Sequence, residues 1–96
     1  MNLDELDNIR LEINKTDDEL IGLFKKRMKL VQEVAEYKIK NHQEVLDKSR
    51  EDYIIDKYTS SIKEKHLKKE VTEFIQGILK ISRDAQEEIM VSFKIR

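Results

Sequence analysis

Apolar residues recur at helical spacing from Leu3 to about Lys40. They are separated by three, four and seven residues, with charged residues between them: Leu3, Leu6, Ile9, Ile13, Leu20, Phe24, Val31 and Val34. This spacing predicts one very long amphipathic helix. At 1.5 Å per residue the helix would be roughly 55 Å long, beyond the diameter of a small domain. Because the rest of the chain is too short to cover the whole apolar stripe, we expect two copies to dimerise along it.

Two shorter helices are predicted after the first. The segment Asn41–Leu46 interrupts the pattern without Gly or Pro, and Asp47 is a plausible N-cap for a second helix over about Lys48–Glu64. Lys65–Leu67 is interpreted as a second short connection, followed by a third helix over about Lys68–Phe93. No segment has the alternation or turn chemistry of a strand. The predicted fold is therefore all-α, with three helices in an intertwined helical homodimer.

Composition narrows the classes of function. The 96 residues predict a single domain over 1–96, and charged residues make up 41% of them with a net charge of only −1. This balance gives no broad basic field for nucleic acid. The chain has no cysteine and only two histidines, which excludes disulfides, thiolate metal sites and a zinc constellation. Without a signal-peptide pattern or a membrane span, we expect a cytoplasmic, soluble protein with no membrane partner.

Two cations lie within the apolar stripe of the first helix. Arg27 and Lys38 are about 20° apart around the helix and about 16 Å apart along it, with no acidic residue on the same stripe. Long side chains can extend past apolar surface to water, which is the simplest interpretation. A buried cation without a partner is costly, however, so the pair also indicates a small anionic ligand. Arg10 cannot reach this ligand in the same helix. Geometry alone favours a solvated Arg10, unless an antiparallel second copy brings it to Arg27 of the other chain.

Polar residues interrupt two further helical faces. Asp47, Arg50 and Glu51 cluster at the start of the second helix, where ordinary surface charge with an Asp47–Arg50 pair is the simplest alternative. Ser82 and Gln86 lie one turn apart within the apolar stripe of the third helix. The Ser82 hydroxyl can donate to the carbonyl of its own preceding turn. A buried glutamine amide has no such local partner and needs others.

Taken together, these residues resemble the all-α chorismate mutases over nearly the whole chain. The matching elements, in order, are a long helix with Arg10, Arg27 and Lys38, the motif V-x-D-x-x-R-E at Val45, Asp47, Arg50 and Glu51, and S-x-x-x-Q at Ser82 and Gln86. Some relatives carry a proline just before Val45, where this chain has Gln43 and Glu44. The resemblance implies a dimer with two identical sites, in which Arg10 crosses from the partner chain.

The resemblance also implies a reaction and a role for each residue. Chorismate would rearrange to prephenate without a nucleophile, metal or cofactor, in the pathway to phenylalanine and tyrosine. Substrate carboxylates would be held by Arg27 and the partner's Arg10, with support from Arg50. Lys38 and Gln86 would donate to the ether oxygen. Glu51 and the backbone near Asp47 would hold the ring hydroxyl, and Ser82 would line the ring pocket.

Other functions remain open at this point. An isochorismate pyruvate-lyase on the same scaffold also needs a folded enolpyruvyl arm between cations. A non-catalytic helical dimerisation module is a further alternative. Charged and amide groups within both stripes argue against it, because a pure interface favours apolar residues there. An inactive homologue would also keep the fold, although all eight expected site residues (the motif residues other than Val45) are present.

Overall fold

The computed structural model describes residues 3–95 as three α-helices and no strand. Helix α1 spans Leu3–Lys40, α2 spans Lys48–Ser60, and α3 spans Lys65–Ile95. The all-α prediction with one very long N-terminal helix is confirmed. No helix in this range is both long and apolar enough to cross a membrane.

Helix α1 ends in a Schellman motif centred on His42. The Gln43 N–H donates to the Lys38 carbonyl over 2.8 Å, and the His42 N–H donates to the Ile39 carbonyl over 3.3 Å. His42 has φ of 53°, in the left-handed region that this motif requires. Glycine is the usual residue here, and histidine is among the few others enriched at positive φ. The helix therefore stops without Gly or Pro, at the residue that the sequence predicted.

The boundary between α2 and α3 differs from the prediction. Helix α2 ends at Ser60 instead of Glu64, and α3 begins at Lys65, within the segment predicted as a connection. Hydroxyl residues line this end of α2. The Thr59 hydroxyl donates to the Ile55 carbonyl over 2.7 Å, and the Ser61 hydroxyl donates to the Tyr58 carbonyl over 3.2 Å. The Ile62 N–H donates to the Thr59 carbonyl over 3.3 Å, so the last turn tightens to a bond between residues three apart and the helix ends before Glu64.

The chain divides into two compact units, one ending at Leu30 and one beginning at Val31. The described part of the first unit is the α1 segment up to Leu30, where no described side chain is buried. Large apolar side chains on this segment are about half exposed: Ile9, Leu11, Ile13, Leu20, Ile21, Leu23 and Leu30. Burial of these groups would be favourable, so this surface fits the predicted dimerisation, which stays a prediction.

The second unit contains the end of α1, the connection, α2 and α3. Helix α2 packs against α3. The buried apolar residues of the described chain all lie in this unit: Val31, Ala35, Val45 and Leu79. Ser82 and Gln86 are buried beside Leu79 on the same face of α3, since all three lie within about 60° of one another around the helix. The core thus combines apolar groups with two polar ones, which is the feature that marks the candidate site.

Candidate active site

Lys38 is anchored to the connection that follows its own helix. Its ammonium donates to the carbonyl of Val45 over 2.7 Å, and Val45 is buried, with 6% of its surface exposed. The backbone carbonyl of Lys38 also accepts the Gln43 N–H of the Schellman motif. An ammonium has three donors, and Val45 takes one of them. The contact therefore fixes the position of the charge while two donors stay available in principle for a ligand.

Asp47 caps α2, as the sequence predicted. Its Oδ1 accepts the Arg50 N–H over 3.1 Å and the Ser49 hydroxyl over 2.9 Å. The Arg50 backbone bond, followed by the Ser49 bond, lowers the pKa of the Asp47 carboxyl. The alternative of a surface ion pair between the Asp47 and Arg50 side chains is thus replaced by an N-cap of α2, because the carboxylate accepts from the backbone N–H of Arg50. The guanidinium of Arg50 lies 5.2 Å from the ring centroid of Tyr53, within cation–π range.

Glu51 forms an ion pair that connects α2 with α3. Its Oε1 accepts from Nη1 of Arg83 across 32 positions of the chain. Only 19% of the Glu51 side chain is exposed, and 34% of the Arg83 side chain. The other ion pairs found among the described residues join neighbours on one helix and are well exposed. Sequence reasoning missed Arg83, because helical spacing does not reveal which residues face each other across two helices.

Ser82 and Gln86 are both buried on α3, with 6% and 7% of their surface exposed. The Ser82 hydroxyl donates to the Ile78 carbonyl over 2.8 Å, as the simpler alternative for this residue predicted. Gln86 Oε1 is buried and has no hydrogen-bond partner within residues 3–95. An unpaired buried acceptor costs about 1–3 kcal/mol, so the amide of Gln86 calls for a partner from outside the described chain.

The remaining predicted site residues lie in the first unit. Arg10 is exposed and Arg27 is half-buried on α1. The second unit contains the other predicted site residues: Lys38 at the α1 end, Asp47, Arg50 and Glu51 at the α2 start, and Ser82 and Gln86 on α3. Of these elements, α2 and α3 pack against each other. The ligand roles of all eight residues stay predictions.

Two clefts open at the end of α1 and the end of α3. One, of about 300 Å³, is lined by Lys38, Ile39, His42, Gln43, Met90, Phe93 and Lys94. The other, of about 350 Å³, contains none of the predicted site residues. In residues 3–95 no group of three or more His, Cys, Asp or Glu side chains is arranged to hold a metal ion. Lys38 is thus a predicted site residue that lines an open cleft of this unit.

Comparison with known families supplies the decisive observation. The family of chorismate mutase type II matches residues 9–87, which contain all eight predicted site residues. The chain belongs to this family. The bifunctional chorismate mutase/prephenate dehydratase of Buchnera aphidicola subsp. Schizaphis graminum (strain Sg) is 36% identical over 90 residues. That match covers 93% of the chain but 23% of the relative, so the chain spans about a quarter of that protein's length.

Proposed function

We propose that this chorismate mutase family member rearranges chorismate to prephenate, in the pathway to phenylalanine and tyrosine. The observation that carries the proposal is the polar face of α3 in the core, where Gln86 is 7% exposed and its Oε1 lacks a partner within residues 3–95. A buried amide with no structural partner is costly, and a polar ligand gives it one. Rotation of the Gln86 amide group by 180° about the Cγ–Cδ bond lets it present either its oxygen or its NH₂ group to that ligand.

The chemistry requires positioning and charge stabilisation. In the rearrangement, the ether C–O bond breaks as a new C–C bond forms within the same molecule. Holding the enolpyruvyl arm over the ring removes much of the entropic barrier. Lys38 and Gln86 donate to the ether oxygen, where negative charge develops as the bond breaks. Support for Lys38 comes from its Val45 bond, which fixes the ammonium before the substrate arrives.

The remaining roles concern substrate binding. Arg27 and Arg10 of a partner chain hold the two carboxylates, and Arg50 supports that side. Glu51 and the backbone at Asp47 hold the ring hydroxyl, while Ser82 lines the ring pocket. The guanidinium groups suit this task, because their planar donors match carboxylate geometry.

The proposal includes a homodimer wound together through α1. Seven large apolar side chains between Ile9 and Leu30 are 45–65% exposed in the single chain. A surface of this kind is typical of an interaction site, and the active site needs a second copy to supply Arg10. Sedimentation of the purified protein tests the dimer directly.

Turnover of chorismate tests the function. Purified protein is mixed with chorismate, the loss of its ultraviolet absorbance is followed, and the product is separated by chromatography. Prephenate formation that disappears in Arg27→Ala supports the proposal. A parallel incubation with isochorismate separates mutase from lyase chemistry. A folded dimer that converts neither substrate would overturn the proposal and favour the dimerisation-module alternative.

A further inference from the structure

We infer that Arg83 is a positioning residue, which holds the Glu51 carboxylate in place for the ring hydroxyl of the substrate. This inference rests on the proposed function, because it assigns Arg83 a task in the same site. Arg83 itself is not placed against the substrate. It acts through Glu51, to which its guanidinium is paired.

The burial of Glu51 makes a partner necessary. A carboxylate with 19% of its side chain exposed has lost most of its water, and an ionised group in that position is stable only when donors replace the water. Within residues 3–95, Arg83 is the residue whose side chain donates to it. Arg83 binds Oε1 of Glu51, and the second oxygen, Oε2, is the atom that can accept from a hydroxyl.

The position of Arg83 on α3 links this contact to the buried polar face. Arg83 lies about 100° from Ser82 around the helix and about 60° from Gln86, on the border of that face. Its bond to Glu51 therefore holds the start of α2 at a defined position beside the α3 face that carries Ser82 and Gln86. A carboxylate anchored in this way meets the ligand in one orientation, which is how preorganised sites avoid ordering costs at binding.

The ion pair also decides the charge that the ligand meets. The proposed substrate is a dianion, which an unpaired buried carboxylate would repel. Arg83 neutralises Glu51, so the carboxylate can accept from a hydroxyl without adding net negative charge to the pocket. Lys38 and Arg50, the other cations of this unit among the proposed site residues, keep their charges for the substrate. The side-chain partner of Glu51 in the described chain is Arg83, whereas Lys38 donates to Val45 and Arg50 lies over Tyr53.

Kinetics of Arg83→Met and Arg83→Lys test the inference. Methionine is a long side chain without the charge or the hydrogen-bond donors of arginine. We expect KM of Arg83→Met for chorismate to rise by about 10- to 100-fold with kcat nearly unchanged. The reason is that Glu51 is proposed to hold the substrate hydroxyl equally in the ground state and the transition state. Lysine restores a charge and a donor, and should recover part of the loss. Lys80→Met is the matched control, because it breaks the exposed Lys80–Asp84 pair on the same helix. Its KM should equal that of the unchanged protein.

A merely structural role gives a different result. Partial unfolding lowers the amount of active protein, so apparent kcat falls while KM stays the same. That outcome, or unchanged kinetics in Arg83→Met, would overturn the inference.

The double variant Arg83→Met with Glu51→Gln adds a second criterion. Once Glu51 is replaced by a neutral residue, adding Arg83→Met should raise KM little further. If the effects of the two substitutions on KM are independent, the coupling between the two residues is contradicted. If the unchanged protein converts no chorismate, the proposed function fails and this inference fails with it. Loss confined to the Arg83 variants leaves the function intact.

Discussion

The ammonium of Lys38 and the carbonyl of Val45 are 2.7 Å apart, at opposite ends of the turn that closes α1. The same lysine accepts the Gln43 N–H through its backbone. Both ends of this residue thus contact the connection, so the position of the charge depends on the shape of the turn. The conformation of His42 and the placement of Lys38 are consequences of one local structure.

Replacement of Lys38 by alanine should lower kcat by about 10²–10³-fold, because it removes the charged donor that we propose for the ether oxygen in the transition state. The same change deletes the Val45 contact, which should cost roughly 1.5 kcal/mol of stability. Steady-state kinetics and thermal unfolding separate the two effects. Lys40→Ala, in the exposed last turn of α1, is the control and should leave kcat unchanged. An unchanged kcat in folded Lys38→Ala would remove this residue from the mechanism.

Replacement of Gln86 by glutamate should make the activity acid-dependent. The amide donates at every pH, so we expect activity of the unchanged protein near neutrality without an acid optimum. A carboxyl group at this buried position donates only when protonated, and burial favours the protonated form. The kcat/KM of Gln86→Glu should therefore rise as pH falls, whereas that of the unchanged protein should not. Rate profiles between about pH 4 and about pH 8 decide this, since that range spans the ordinary and raised pKa of a carboxyl. Parallel profiles for the two proteins, or a steep acid rise in the unchanged one, would contradict the role of Gln86 as a neutral donor.

The sequence predicts those parts of this protein that depend on local chemistry. The extent of α1, the cap at Asp47 and the back-bonding of Ser82 each depend on residues that are close together in the sequence. Helical period and capping preference suffice for them. The Glu51–Arg83 pair joins residues 32 positions apart, so it depends on how α2 packs on α3. The end of α2 was missed for another reason, since no Gly or Pro marks it in the sequence.

The cap at Asp47 should make stability depend on pH in the acid range. Hydrogen bonds from Arg50 and Ser49 lower the pKa of this carboxyl in the folded protein. A lowered folded pKa contributes stability that is present above the unfolded pKa of about 3.9 and is lost as pH falls through the folded value. Asp47→Asn keeps a capping oxygen but cannot titrate. The Tm advantage of the unchanged protein over Asp47→Asn should therefore shrink as pH falls below about 4, the ordinary pKa of the group. A Tm difference that stays constant with pH would contradict this linkage.

Glycine at position 42 should stabilise the protein. His42 has φ of 53°, a conformation that costs an L-residue roughly 1–2 kcal/mol and costs glycine little. Part of the gain is offset by the greater freedom of glycine in the unfolded chain, so His42→Gly should raise the free energy of unfolding by about 0.5–1 kcal/mol. His66→Gly is the matched control, because His66 lies in the first turn of α3 without a positive φ, so glycine relieves no strain there. Denaturant unfolding measures both, and a loss of stability in His42→Gly would show that its imidazole makes a contribution larger than the strain.

Mixing two inactive variants tests whether the site is shared between chains. If Arg10 of one chain completes the site that contains Arg27 of the other, a mixed dimer of Arg10→Ala and Arg27→Ala has one intact site. Refolding an equal mixture should yield half mixed dimers and so about a quarter of the unchanged activity. The matched control mixes Arg27→Ala with Lys38→Ala. Both of those residues are proposed to serve the same site from one chain, so every site of that mixture lacks one of them and no activity should return. Two outcomes would exclude Arg10 as the residue contributed by the partner chain. One is recovery of activity in both mixtures; the other is no recovery of activity in either mixture although mixed dimers are present.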